Sequence, residues 1–217
     1  DGSIYSMTPI GVTLPKNADD VSAIIDICNR NNTAILPRGG GTSLSGQTVN
    51  SAVVIDFSKY MHNVLEINPE ENYVITEPGI TIDNLNQKLK YTNLHFTPDP
   101  STKSRANVGG AMGNNSCGTH SVIYGKTVDQ VREMEVILSD SSKAYFEEMS
   151  GKRLEDKISL ENLEGKIYRD VMSMSSKYYN EINARYSKVN RRVGGYNLDM
   201  VHPNSNKLNL VNIMVGS

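Results

Sequence analysis

The stretch Leu36-Pro37-Arg38-Gly39-Gly40-Gly41-Thr42-Ser43-Leu44-Ser45-Gly46-Gln47 holds the residue types most able to do chemistry. Three consecutive glycines let the backbone take positive φ and approach a ligand closely. Successive N–H groups in such a turn can converge on one anion, such as a pyrophosphate. Thr42 and Ser43 add hydroxyls that can bond phosphate oxygens. Arg38 can place positive charge at the same spot, with a solvated surface arginine as the other reading. Two better-known phosphate patterns fail. Gly41 to Thr48 approximates G-x-x-x-x-G-K-[ST], but Gln47 stands where lysine belongs, and the next element reads as a strand rather than a helix. The pattern G-x-G-x-x-G fails because Leu44 takes the third glycine position counted from Gly39. A plain structural turn is the remaining alternative, and three glycines in a row make it entropically costly.

A second constellation lies downstream. Pro98-Asp99-Pro100-Ser101-Thr102 is followed by Val108-Gly109-Gly110-Ala111-Met112-Gly113-Asn114-Asn115-Ser116-Cys117-Gly118. Its Asn and Ser side chains supply donors and acceptors, and its glycines allow the backbone to approach a flat ring system. Read alone, a tightly packed glycine-rich turn is the alternative. Asp99, between two prolines, reads as a turn former rather than an acid. His120 is the histidine nearest this segment and the one candidate base, with an ordinary exposed or hydrogen-bonding role as the alternative. Cys117 reads as a small packing residue and Cys28 as core. No residue is assigned as catalytic and no metal-ligand spacing occurs.

The elements that must position these loops are legible in part. Ile10 to Pro15 is a short strand. Asn17 is an N-cap, Asp19 and Asp20 suit the first turn, and Val21, Ile24, Ile25 and Cys28 recur at helical spacing, so a helix runs from Ala18 to about Asn31. Thr33 to Leu36 and Val53 to Asp56 are buried strands. Val64–Ile67 and Tyr73–Thr76 flank a turn and form a hairpin. Thr81 caps a helix from Ile82 to about Tyr91. Phe96 to Ser101 and Asn107 to Gly118 are loops. Gln130 to Leu138 is a strand with Ala144–Phe146 as its partner. Glu161 to about Tyr186 is helical, broken near Ser173–Ser176.

In this order and spacing, the two loops resemble the flavin-binding domain of FAD-linked oxidases and dehydrogenases, the family of vanillyl-alcohol oxidase, glycolate oxidase and D-lactate dehydrogenase. Leu14-Pro15 with the Asn17 helix start, the Pro37-to-Gln47 loop, Glu77-Pro78-Gly79, the Pro98-to-Ser101 loop and the Gly109-to-Gly118 loop carry the resemblance. Gly125 to Asp129 and Arg191 to Leu198 look like the large flavin dehydrogenases often fused to an iron–sulfur region, some of which oxidise D-2-hydroxyglutarate.

The resemblance implies an α+β, two-lobed FAD-binding domain of the vanillyl-alcohol oxidase type. Residues 1–60 would be a small parallel β-α-β lobe. Residues 61–217 would be a second lobe with a mainly antiparallel sheet and helices, truncated and without the cap domain that binds substrate. It implies that Pro37, Arg38, Gly39, Gly40, Gly41, Thr42 and Ser43 meet the pyrophosphate, with Gly46 and Gln47 on the flavin side. Pro78 and Gly79 would border the adenosine half. Pro98, Ser101, Gly109, Gly110, Asn114, Ser116 and Gly118 would line the ribityl chain and isoalloxazine. Thr42 stands where some relatives carry a flavin-linked histidine, so the FAD would be non-covalent. The implied reaction is oxidation of a small 2-hydroxy acid (of the D-lactate, glycolate or D-2-hydroxyglutarate type) by hydride transfer to flavin N5. An iron–sulfur cluster elsewhere in the parent protein is a further group the resemblance raises. The alternatives are a catalytically silent FAD-binding fragment and a domain like that of UDP-N-acetylenolpyruvylglucosamine reductase. Arg191 and Arg192 would be surface charges or partners of the cap.

Composition fits this reading. The chain has 217 residues, 38% hydrophobic and 21% charged, enough for a core in a globular protein. A net charge of −2 offers no basic field for nucleic acid. No apolar run reaches the roughly 18 residues of a membrane span, and no signal-peptide pattern opens the chain. The opening Asp1-Gly2-Ser3 reads like the interior of a longer protein. The two cysteines lie far apart, so free thiols and a cytoplasmic location are expected.

Overall fold

The structure, a computed structural model, describes residues 2–189, 195–203 and 205–217. The first elements are β1 (Gly11–Thr13), α1 (Ala18–Arg30), β2 (Ile35–Arg38) and β3 (Val53–Asp56). The three strands form a parallel sheet in the order β1-β3-β2. Helix α1 starts where its sequence dictates. The Asn17 side chain accepts the Asp20 N–H at 2.9 Å, Asp19 and Asp20 sit in the positive first turn, and Arg30 sits in the last. Its inward face buries Val21 and Ile25 against Ile55 and Met61, with Ile35 and Ile137 at the margin. Strand β2 is less buried than its aliphatic sequence suggests, and it starts at Ile35 rather than Thr33. Its place at the sheet edge explains both its partial exposure and the presence of Pro37, which can give no hydrogen bond to a neighbour.

The hairpin β4 (Val64–Asn68) and β5 (Tyr73–Thr76) pairs antiparallel, with Asn72 at φ +54° in the turn. Helix α2 (Ile82–Leu89) is capped by the Thr81 hydroxyl, which accepts the Asn84 N–H at 3.2 Å, and it buries Ile82, Leu85 and Leu89. The segment read as a loop from Asn107 contains a helix, α3 (Val108–Gly113). Its glycines disfavour helix by up to about 1 kcal/mol each. Tertiary packing overrides that, because Val108 packs with Ile80, Leu85 and Leu89, and Ala111 with Ile82 and Ala106.

Beyond it lie α4 (Ser121–Tyr124), a 3-10 turn over Thr127–Gln130, β6 (Met134–Ile137), β7 (Lys143–Phe146), β8 (Glu148–Ser150) and α5 (Gly151–Ser159). Then come α6 (Leu163–Lys177), α7 (Tyr179–Arg185), β9 (Lys207–Asn209) and α8 (Val211–Met214). Strand pairs β4-β5, β6-β7 and β8-β9 are three separate two-stranded antiparallel sheets, not the single larger sheet expected. Around the last two a large core forms from Phe146, Met149, Leu154, Tyr168, Val171, Leu208, Leu210, Val211 and Ile213. Tyr168 is fully buried edge-to-face on Phe146, at 6.2 Å between ring centres. The long helical stretch breaks at Tyr178 rather than at Ser173–Ser176. Ser175 is fully buried and donates to the Val201 carbonyl at 2.6 Å, so the serines belong to the helix interior. Arg191, Arg192, Val193 and Gly194 lie outside the described residues.

Candidate functional site

The glycine loop leaves the end of β2 and folds against the start of α3. Gly41 takes φ +63°, and a Cβ built on it would come 2.6 Å from Arg38 Nη2. The Arg38 guanidinium therefore lies directly against the loop. Among the described residues, the backbone N–H groups from Gly39 to Ser45 have no partner within the chain. Unpaired donors beside a cation are what an anion needs. The Ser43 hydroxyl donates to Gln47 Oε1 and ties the loop across its middle. Gly46, at φ +81°, lies under the Tyr5 ring.

Asn107, not singled out by the sequence reading, joins three of the expected segments. It is 2% exposed. Its Nδ2 donates to the Gly79 carbonyl, and its side chain packs against Gly39 and Gly40. Its Oδ1 is buried with no hydrogen-bond donor among the described residues. A buried orphan acceptor costs about 1–3 kcal/mol, so its place beside the open donors of the glycine loop is a mark of a site. The signal for Asn107 was available: it is a capping-type residue immediately before Val108-Gly109-Gly110.

The remaining segments interlock. Gly109 N–H donates to the Pro78 carbonyl at 2.9 Å and packs on the Pro78 ring, while Gly79 N–H donates to Met61 at 2.7 Å. Gly118 packs on the Asp99 carbonyl and Gly79 on that of Phe57, and the Cβ side of Gly40 faces the Arg105 carbonyl. At these four positions the lack of a side chain serves packing of chain on chain, which differs from the expectation that the glycines make room for ligand. Gly110 is different: it is exposed on α3, and a Cβ there would meet nothing within 4 Å. Ser116 accepts from both the N–H and the hydroxyl of Thr127, at 3.1 and 2.8 Å. Pro98 is buried, Ser101 is exposed, and Asn114 is the exposed C-cap of α3.

Asp99 is more than a turn former. Lys103 Nζ lies 2.8 Å from Oδ1 and His120 Nδ1 3.6 Å from Oδ2. The Lys103 hydrogen bond, opposed by some burial, holds the Asp99 carboxyl below the usual range. It is therefore ionised at neutral pH and has no proton to give. His120 is more than half exposed and shares this cluster. A broad surface depression lined by Tyr145, Glu147, Met149, Arg153, Asp156, Lys157 and Leu160 involves none of the expected site residues. Both cysteines are free, Cys28 buried and Cys117 half-buried. No described helix is long and apolar enough to cross a membrane, and no metal-type cluster of His, Cys, Asp and Glu occurs among the described residues.

Comparison with known proteins decides the family. Residues 9–143 match the model of the FAD binding domain family. The chain belongs to that family. It is 32% identical over 220 residues to D-2-hydroxyglutarate dehydrogenase of Pseudomonas putida, covering 100% of this chain and 22% of the relative. It is 34% identical over 138 residues to glycolate oxidase subunit GlcD of Bacillus subtilis, covering 63% of this chain and 29% of the relative. Among solved structures, an alkyldihydroxyacetonephosphate synthase superposes with a TM-score of 0.57 at 23% identity, over 61% of this chain and 25% of that one. That last likeness concerns the fold. The chain thus spans only about a quarter of the length of the relatives it matches.

The residues present fit FAD. Open N–H donors and Arg38 suit its diphosphate, and the free space over Gly110 leaves room for a ring or ribityl chain where a side chain would otherwise stand.

Proposed function

We propose that the chain is the FAD-holding part of a flavin-dependent oxidoreductase that oxidises a small D-2-hydroxy acid, of the 2-hydroxyglutarate type. The observation that carries it is the glycine loop with open N–H groups and Arg38 laid on Gly41. Likeness over the whole chain to a D-2-hydroxyglutarate dehydrogenase supports the substrate class. When bound, the flavin supplies a two-electron acceptor for the hydride from the substrate carbon. The chain's own residues bind and orient. Gly39 to Ser43 offer backbone donors to the diphosphate and Arg38 offsets its charge. Pro78 and Gly79 border the adenosine half. Gly110, whose Cβ side is open, lines the flavin half with Pro98, Ser101, Asn114 and Ser116, Gly109 and Gly118 let the segments behind it close up, and Gly46 and Gln47 lie on the flavin side of the loop. Thr42 offers no imidazole for a flavin bond, so the cofactor is held non-covalently.

In this reading residues 1–60 and 61–217 are two lobes about the cofactor. The substrate hydroxyl proton goes to a base outside the chain, since the Lys103 hydrogen bond lowers the proton affinity of the Asp99 carboxylate and makes it a weak acceptor. The two free thiols support a cytoplasmic setting, and the net charge of −2 supports no nucleic-acid role.

The test is direct. The chain mixed with FAD should purify yellow. If it also bleaches anaerobically with D-2-hydroxyglutarate, catalytic competence lies within it; colour without bleaching identifies a binding part that needs the rest of its protein. Bleaching by NADPH in place of the hydroxy acid would favour a reductase of the UDP-N-acetylenolpyruvylglucosamine type, and a colourless chain would sink the FAD reading.

A further inference from the structure

Residues 2–5 precede the stretch matched by the FAD-domain family, which begins at residue 9. They are nevertheless fastened to the glycine loop at both ends. Gly2 N–H donates to the Gly41 carbonyl at 2.8 Å. A Cβ on Gly2 would touch Leu44 Cδ2 at 3.3 Å, so this residue lies along the loop's crest. The Tyr5 ring covers Gly46, where a Cβ would come within 2.8 Å of Cδ2.

The first contact has a stereochemical result. In a trans peptide the carbonyl and the N–H of the next residue point to opposite sides, and no cis bond occurs among the described residues. With its carbonyl turned toward Gly2, the Gly41–Thr42 peptide must turn the Thr42 N–H away from Gly2. That N–H has no partner in the chain among the described residues. The second contact holds the other end of the loop. Gly46 sits at φ +81°, its carbonyl takes the Val49 N–H at 3.3 Å, and Gln47 beside it holds Ser43.

We infer that Gly2–Tyr5 is a strap that presets the glycine loop's donors for a diphosphate, with Tyr5 as a positioning residue. The inference rests on the FAD reading above. A loop ordered before binding loses less entropy when the ligand arrives, so the strap's effect belongs in cofactor affinity. Only the ring of Tyr5 is required, because its role is to cover Gly46. Only the N–H of Gly2 is required, because its role is to fix one carbonyl.

FAD binding is measured by quenching of flavin fluorescence for the unchanged chain and for Tyr5→Phe, Tyr5→Ala and Gly2→Pro, together with the thermal midpoint of each without FAD. Proline removes the one donor that Gly2 supplies. Tyr5→Phe should bind within about twofold of the unchanged chain, while Tyr5→Ala and Gly2→Pro should bind about tenfold more weakly, equivalent to about 1.4 kcal/mol. The FAD-free midpoints should stay together. Equal affinity in all four overturns the strap and leaves the FAD reading intact. Loss of affinity matched by a fall in the FAD-free midpoint also overturns it, since the segment would then only hold the fold. Absence of FAD binding by the unchanged chain instead removes the functional reading, and the strap with it.

Discussion

Asn107 and the glycines around it separate what packing needs from what a ligand needs. Gly40 faces the Arg105 carbonyl, and Gly110, on the first turn of α3, faces nothing. Gly40→Ala should destabilise the FAD-free chain by about 1–3 kcal/mol, the usual cost of forcing atoms into a filled space. Gly110→Ala should stabilise it by up to about 1 kcal/mol, because alanine is the better helix former. Gly110→Leu should then keep the fold and weaken FAD binding. Denaturant melts and flavin titrations of the three variants distinguish these cases, and a folded Gly110→Leu with unchanged FAD affinity would show that the open face is not a ligand face. The sequence showed glycines clustered at these positions. It could not show which glycines face protein, because that depends on partners up to scores of residues away.

At the scale of elements, local signals were legible where they were strong. Asn17 with the Val21-Ile25-Cys28 spacing marked α1, and Thr81 with Ile82-Leu85-Leu89 marked α2. Helix α3 was not legible, because three glycines in six residues carry loop chemistry and only the burial of Val108 and Ala111 makes them helical. Strands β8 and β9 have three residues each and find one another across the intervening helices, so neither shows a period of its own. Helix α5 turns only Leu154 and, one turn on, Ile158 toward the core, a stripe too short to read from the sequence.

The parallel sheet meets the β6-β7 hairpin through α1. Ile137 packs beside Val21 and Ile25, Asn29 Nδ2 donates to the Ser139 carbonyl at 2.5 Å, and Lys143 pairs with Asp19 at 2.7 Å. The hydrogen bond from Lys143 holds the Asp19 carboxyl below its ordinary value of 3.8, and the same bond raises Lys143 above 10.5. A carboxyl depressed on folding contributes stability above its unfolded value and loses it as pH falls through the folded one. A raised lysine contributes below 10.5 and loses it as pH climbs through its folded value. Lys143→Met should therefore melt below the unchanged chain at pH 7. The gap should narrow as pH falls below the ordinary carboxyl value of 3.8 and as it climbs above the ordinary lysine value of 10.5. A gap of constant size across that range would show that the ion pair contributes nothing.

For the whole molecule, the segments that form the site are spread from residue 37 to residue 118 and already meet through the Val108–Ile80 packing and Asn107, so a bound cofactor would add a further tie among them. A ligand held at 100 times its dissociation constant adds about 2.7 kcal/mol to folding stability. In a chain of this size that is a rise of about 5–10 °C in thermal midpoint. Differential scanning fluorimetry with and without excess FAD reads it, and an unmoved midpoint would contradict a specific site.

Strand β1 forms one flank of the parallel sheet, with no neighbour beyond it among the described residues. Val12 in it, and Ile10 and Leu14 just before and after it, are 58%, 65% and 40% exposed. A greasy strand with unfilled backbone valences is a template for its own kind. In concentrated solution such chains should zip together edge to edge. A single lysine in place of Val12 should keep them apart, seen as less light scattering at equal cofactor uptake.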